Sequence, residues 1–567
     1  MLDDLIALER VADEAIERSA LLQLPARAVL AGLHYVSFLG RHGQQFGGNV
    51  DDGQGEAIVT RLSHALPLLR RLSPKPYGAS ADDAIGAFQE EAAKDGGLAE
   101  LLTYLNFSEI VPEARRGRLI VHRDGDDLRL RHPDGAFAIA EARDITLSEL
   151  AIPFALQQNG KIEPEFGPLA AQAPKIDWPF AAQFIAINAH KYRHGMAEAD
   201  LITEVSINHM FGFGRDRFLF IRSALLAFAE FCEKLAVTIH LGVFADKLAE
   251  GHLGEGLEWA SVNLNADFLL GLIAAASGST PDEVERFLEV YTIDYRTTPP
   301  AHWGGDGFFP PFARFEEGYL FSPGLVLAFL QVRNAVYAFA KKDKTTFDND
   351  VSHELEPVLL HQAGELLRRG GDWLVVEDIA FPGGQIDLLI GAPQDDGVFL
   401  VQAKGNLPPQ GSRLTERLTD RIREGIRQIE RFADLEGAQQ RKVVETALGR
   451  PVAGLSVHHA VLARSCFGAP EVLADEFPYV KITLPILALA LDRHRDEGLP
   501  NTIAALIDAI ERTYASVFEV TGPRWEDGSI AVAGRTITLP LLKWRDGELN
   551  RLRSAWWSST FRPENAL

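Results

Sequence analysis

Three residues of this chain have the types and spacing to do chemistry together: Asp387, Gln402 and Lys404. Between the first two lies a turn-like run, Pro393, Gln394, Asp395, Asp396 and Gly397, with apolar stretches on either side. If the hairpin is centred between Gln394 and Asp395, facing residues have numbers of constant sum, and Asp387 stands opposite Gln402. Directly opposed side chains of an antiparallel pair share a face, with Cβ atoms about 5 Å apart. Lys404, two residues further on, projects from that same face. A slip of one residue would separate the trio. A carboxylate, an amide oxygen and an ammonium on one face suit phosphodiester hydrolysis. Hard oxygen ligands favour Mg²⁺, with Mn²⁺ as a substitute. A cation held there would polarise a phosphate, and Lys404 would stabilise the charge that develops. A further carboxylate, Glu356 or Glu354, is expected from a preceding helix. Acids in a first helical turn also simply complement the helix dipole.

The elements that must position these groups read clearly. Ser352 is a plausible N-cap for a helix reaching Arg369, stopped by Gly370 and Gly371. Strands are expected over 373–379, 385–390 and 398–403, a long helix over 414–435 and a strand over 456–463. The order is αβββαβ. Along the long helix Arg413, Arg417 and Arg421 are spaced by four, as are Arg423, Arg427 and Arg431. Such rows can track phosphates. Residues 401–465 carry eleven Lys or Arg against seven Asp or Glu in a protein of net charge -23, so a polyanion is expected to dock there. Arg417, Arg421, Arg427 and Gln428 are the candidate nucleic-acid contacts. The plainer reading is a solvated face paired with Glu416, Asp420, Glu424 and Glu430.

Gly384-Gln385-Ile386-Asp387-Leu388-Leu389 followed by Val401-Gln402-Ala403-Lys404 resembles the PD-(D/E)XK nuclease superfamily, in the Gln-x-Lys form of Mrr-like restriction endonucleases. Gln428-Ile429-Glu430-Arg431-Phe432 is similar to the Gln-x3-Tyr element of RecB-like nucleases, with Phe in place of Tyr. The resemblance covers residues 352–463, about a fifth of the chain. It implies a Mg²⁺-dependent DNA endonuclease, of a restriction or defence kind by analogy. The catalytic set would be Asp387, Gln402, Lys404 and Glu356, and the metal ligands Asp387, Gln402, Glu356 and Glu354. Two positions depart from the pattern: Gln402 stands where Glu is commoner, and Gln385 where an acid often precedes the Asp. Both remove negative charge. They support the alternative, a catalytically degenerate nuclease-fold protein that binds nucleic acid as a scaffold or sensor.

The remaining chain frames this α/β nuclease core. Residues 1–345 read as a large, mostly α-helical region, with an apolar stripe at Leu2, Leu5, Leu8, Val11, Ala15 and Ile16 and a small β-meander over 117–142. A domain boundary is expected within 340–350, where apolar content falls. The core then spans 346–466, and a short α+β tail spans 467–567, with a hairpin of 530–533 and 536–539 turning at Gly534-Arg535. Two cysteines cannot build a disulfide framework, and the Met-Leu-Asp-Asp start lacks a secretory pattern, so a cytoplasmic protein is expected. The apolar windows 218–240 and 257–278 contain charges, which suits buried helices and not membrane spans. The expected partner is DNA, with RNA and self-association left open and no membrane. His190 and His194 lack a third zinc ligand. Gly212-Phe213-Gly214 lacks the strand and helix of a nucleotide site. His458 and His459 alternate across a strand, and the aromatic loop 297–315 is expected to pack on its own domain.

Overall fold

The structure is a computed structural model. It describes residues 1–42, 61–73, 81–94, 97–151, 178–194, 201–247, 259–297, 309–393, 395–405, 407, 412–493, 500–545 and 547–553. The fold is mixed α/β. One sheet has five strands in the order β11-β10-β9-β8-β7: β7 (Leu374–Phe381), β8 (Gly384–Gly391), β9 (Gly397–Lys404), β10 (Ser456–Ala463) and β11 (Val480–Thr483). β7, β8 and β9 run antiparallel, while β9, β10 and β11 run parallel. Every residue of β9 is buried, as suits a central strand covered on both faces.

The helices that sandwich this sheet follow from its pleat. On one face Leu388, Ile390, Phe399, Val401 and Ala403 pack with Leu359, Leu360, Ala363 and Leu367 of α6 (Leu355–Arg369). The same core takes in α9 (Leu484–Arg493) and α10 (Ile503–Thr521). Side chains of the other parity, Leu389, Val398 and Leu400, meet Phe432 of α7 (Ser412–Ala433) and Val444 of α8 (Gly437–Leu448). In α7, Leu418, Ile422, Ile429 and Phe432 turn inward at helical spacing, while Arg417, Arg421, Arg423, Arg427 and Arg431 stay outside. Ser352 does not begin α6. The chain winds as a π turn over Phe347–Val351 and a 3₁₀ turn over Ser352–Glu354 before the α-helix starts at Leu355. The expected elements otherwise shift only at their ends, and α8 and β11 are additions.

The linear division into three regions does not match the packing. β1 (Ile120–Asp124) and β2 (Asp127–Arg131) form the expected hairpin, but 136–142 is not a third strand. It belongs to α3 (Gly135–Leu150), whose N-cap Asp134 accepts the Phe137 N–H at 2.8 Å. The third and fourth strands of that sheet come from the tail: β12 (Arg524–Val532) and β13 (Arg535–Lys543), with β13 parallel to β2. Their turn lies at Ala533-Gly534, both at positive φ, one residue before the expected place. α3 in turn buries Ala140, Leu147 and Leu150 in the five-stranded sheet's core, and Asp144 accepts the Phe467 and Gly468 N–H groups, each at 2.7 Å. Residues 118–150 and the tail therefore share one body with the five-stranded sheet.

The helical region also holds a small sheet where only helices were expected: β3 (Val262–Asn265), β6 (Gly318–Phe321), β5 (Phe312–Arg314) and β4 (Thr292–Asp294), in that order. Strands of three or four residues leave too short a pattern to read. At the N-terminus, α1 (Leu2–Glu17) buries Leu5, Leu8, Ala12 and Ile16, and leaves Leu2 and Val11 exposed. The long helix α5 (Arg215–Lys247) buries Phe218, Phe228 and Phe231 together with charged groups that have partners. Arg222 Nε donates to the Leu330 carbonyl at 2.7 Å, and Glu233 meets His42 at 2.6 Å. Among the described residues no single helix is long and apolar enough to cross a membrane. Pro323–Phe329 and Val332–Lys342 pass that test only as a pair, bent by 81°. In the first of these, every residue is buried.

Candidate active site

The β8–β9 ladder pairs Leu388 with Val401 and Ile390 with Phe399, the register expected from the turn. Continuing it by one step sets Asp387 opposite Gln402. The contacts agree: Gln402 Nε2 donates to Asp387 Oδ2, and the Ala403 N–H donates to the same oxygen at 2.8 Å. All three polar residues are buried, with Asp387 5%, Gln402 3% and Lys404 7% exposed. Burial pushes the Asp387 carboxyl up to about 7, from an ordinary value of 3.8. Lys404 pulls against that shift, and the Glu356 charge adds to it. The site lies at the C-terminal end of β9, where its antiparallel neighbour β8 lies on one side and its parallel neighbour β10 on the other.

The two helix acids part company. Glu356, in the first turn of α6, reaches Lys404, with Oε2 3.5 Å from Nζ. Glu354 does not join the site. Its Oε2 accepts from the hydroxyls of Thr203 and Ser206, at the start of α4 (Glu204–Phe211). The expectation of Glu354 as a metal ligand is corrected accordingly. A carboxylate at a helix N-terminus meets unpaired N–H groups and a favourable dipole, and Glu354 serves that end of α4.

Arg417, Arg421 and Arg427 are exposed on α7, and none of them makes an ion pair with another described residue. Arg423 is tied to Glu471 at 2.8 Å, and Glu416 to Arg116 at 3.1 Å. The Arg413 side chain lies outside the described residues. Gln428 is half-buried, and its Oε1 is a buried atom with no hydrogen-bond partner among the described residues. Phe432 is core, edge-on to Phe381 with centroids 5.3 Å apart. Gln385 turns to Asp378, its Nε2 2.7 Å from Asp378 Oδ1. Asp378 has φ 57 and interrupts the β7–β8 pairing beside Asp387.

Two glycines escaped the sequence reading. A Cβ on Gly405 would lie 2.3 Å from Glu356 Cα and 2.4 Å from its N, so only glycine lets the end of β9 touch the first turn of α6. A Cβ on Gly425 of α7 would lie 3.1 Å from Lys404 Cε and 3.4 Å from Gln402 Cγ. A lone glycine inside an otherwise strong helix was the available signal for Gly425.

Compared with protein-family models, curated proteins and solved structures, the chain finds no match. Among the described residues no group of three or more His, Cys, Asp or Glu is arranged to hold a metal. The donors at hand are two carboxylates, Asp387 and Glu356, and the Gln402 amide. These are hard oxygen donors, the kind that Mg²⁺ takes alongside several waters. By the chemistry of these donors alone, Asp387, Glu356 and Gln402 suit a hard divalent cation. The remaining candidates add nothing. The His194 side chain and the loop segment 298–308 lie outside the described residues, and Gly212 serves as the left-handed cap of α4 at φ 73.

Proposed function

We propose that the chain is a Mg²⁺-dependent DNA endonuclease of the PD-(D/E)XK kind, acting at the Asp387, Gln402, Lys404 and Glu356 cluster. The observation that carries this reading is the buried Asp387–Gln402 pair at the end of a central strand, with Lys404 and Glu356 beside it. Asp387, Gln402 and Glu356 would hold the cation, which supplies phosphate polarisation and an acidified water. Lys404 presents its ammonium to the charge that builds in the transition state. The exposed Arg417, Arg421 and Arg427 would seat the polyanion backbone next to it, and Gln428 faces inward on the same helix.

A second reading rests on a specific observation. The Gln402 amide is spent on Asp387, and no third acid is present among the described residues of the cluster. A site this poor in acids suits a nucleic-acid-binding scaffold or sensor that does not cut. Plasmid nicking separates the two. Nicking with Mg²⁺ or Mn²⁺ that EDTA stops, and that Asp387→Ala and Lys404→Ala lose, is the result expected for the nuclease. DNA binding without nicking under either metal is the result for the scaffold.

A further inference from the structure

The start of α6 is held from two directions. From the five-stranded sheet, Arg464 donates to the Leu355 carbonyl at 3.4 Å and to Gln362 Oε1 at 2.6 Å, and Gly405 abuts the Glu356 backbone. From the helical region, Glu354 accepts the Thr203 and Ser206 hydroxyls. Thr203 is the N-cap of α4, its Oγ1 taking the Ser206 N–H at 3.2 Å, so the Glu354 carboxylate closes a small network around that helix end. The apolar packing divides at the same place. Val351 and Leu355 belong to the core of the helical region with Ile207 of α4, while Leu359 and Leu360, one turn later, belong to the core of the sheet. The π and 3₁₀ turns just before α6 mean that α-helical periodicity does not fix the phase of this turn. The contacts of Glu354 and Leu355, together with the Gly405–Glu356 contact, hold it. Two residues beyond Glu354, Glu356 meets Lys404.

We propose that Glu354 is a positioning residue: held by Thr203 and Ser206, it sets where Glu356 meets Lys404 and so couples the helical region to the candidate active site. The metal-binding consequence rests on the nuclease reading; the placement itself does not. Groups bonded directly to metal ligands commonly change metal affinity about 10- to 100-fold when removed, and Glu354, acting through the α6 backbone, should have an effect at the lower end.

The test uses the full chain with Glu354→Ala and Glu354→Gln, the second keeping an oxygen that can accept both hydroxyls. Hydrogen–deuterium exchange is read over 352–358 and 400–405, and Mn²⁺ affinity by calorimetry, with circular dichroism to check the fold. Glu354→Ala is expected to speed exchange in both segments and to weaken Mn²⁺ binding about tenfold, with Glu354→Gln restoring both. If Glu354→Ala does not fold, Ser206→Ala, which removes one of the two donors, is read in the same way. Exchange and Mn²⁺ affinity at parental values in the folded variants would overturn the proposal. Faster exchange in a protein whose parent binds no Mn²⁺ would support the placement by Glu354 and count against the nuclease reading alone.

Discussion

Two buried carboxylates sit in surroundings of opposite character. Glu233, on α5 in the helical region, is pushed up by burial, but Arg41 and the hydrogen-bonding His42 more than offset this and hold it below its ordinary value. Its partners are close, with Arg41 at 3.3 Å and His42 at 2.6 Å. Asp387 is also pushed up by burial, and there the push wins: Lys404 opposes it, Glu356 reinforces it, and the carboxyl rises to about 7. One acid has its counter-charge within the chain and serves the fold. The other sits beside a second acid, and the nearby Lys404 does not outweigh the push of burial.

The largest effect should come from breaking the satisfied site. Glu233→Ala leaves Arg41 and the buried His42 without their carboxylate and should cost about 3–5 kcal/mol in denaturant unfolding. A loss below about 1 kcal/mol would erase the contrast between the two acids. Next comes Gly405→Ala, whose Cβ would meet the Glu356 backbone at 2.3 Å. It should cost about 1–3 kcal/mol, since backbone cannot step aside as a side-chain tip can.

Asp387 should behave in the opposite sense. Its folded carboxyl lies above the ordinary value, so its contribution to stability is full below pH 3.8 and is lost as pH rises through about 7. Without divalent metal, Asp387→Asn should therefore raise stability near pH 8 by about 1 kcal/mol or more. The gain should vanish as the pH is lowered, which thermal unfolding at several pH values would show. A loss of stability near neutral pH would mean that the charged form is already well compensated. The smallest effect on the fold should come from replacing Arg417, Arg421 and Arg427 together with Glu. Stability should change by less than about 0.5 kcal/mol per site. DNA affinity should fall, and the slope of its logarithm against salt should flatten by up to about three. An unchanged slope would remove α7 from the nucleic-acid surface.

What the sequence disclosed tracks the range of the interactions. The β8–β9 register was legible because the turn at Asp395-Asp396-Gly397 and the strand alternation are local, and Asp387, Gln402 and Lys404 followed from it. The choice between Glu354 and Glu356 was not legible, because the chain enters α6 through π and 3₁₀ turns and because Thr203 and Ser206 lie some 150 residues away. The parallel pairing of Ile537 with Leu128 has no local signature at all, so the tail looked separate when it completes a sheet begun near Ile120. Residues 136–142 read as part of a β-meander, but they lie in a helix that Asp134 caps.

We propose that the end of β9 receives a divalent cation. Direct titration of the full chain with Mn²⁺, followed by calorimetry or by the electron paramagnetic resonance of the free ion, tests it without relying on cleavage. The expected result is saturable binding in the parent that Asp387→Ala abolishes while the circular dichroism spectrum is kept. Equal Mn²⁺ binding by the parent and Asp387→Ala, or none by the parent, would contradict it.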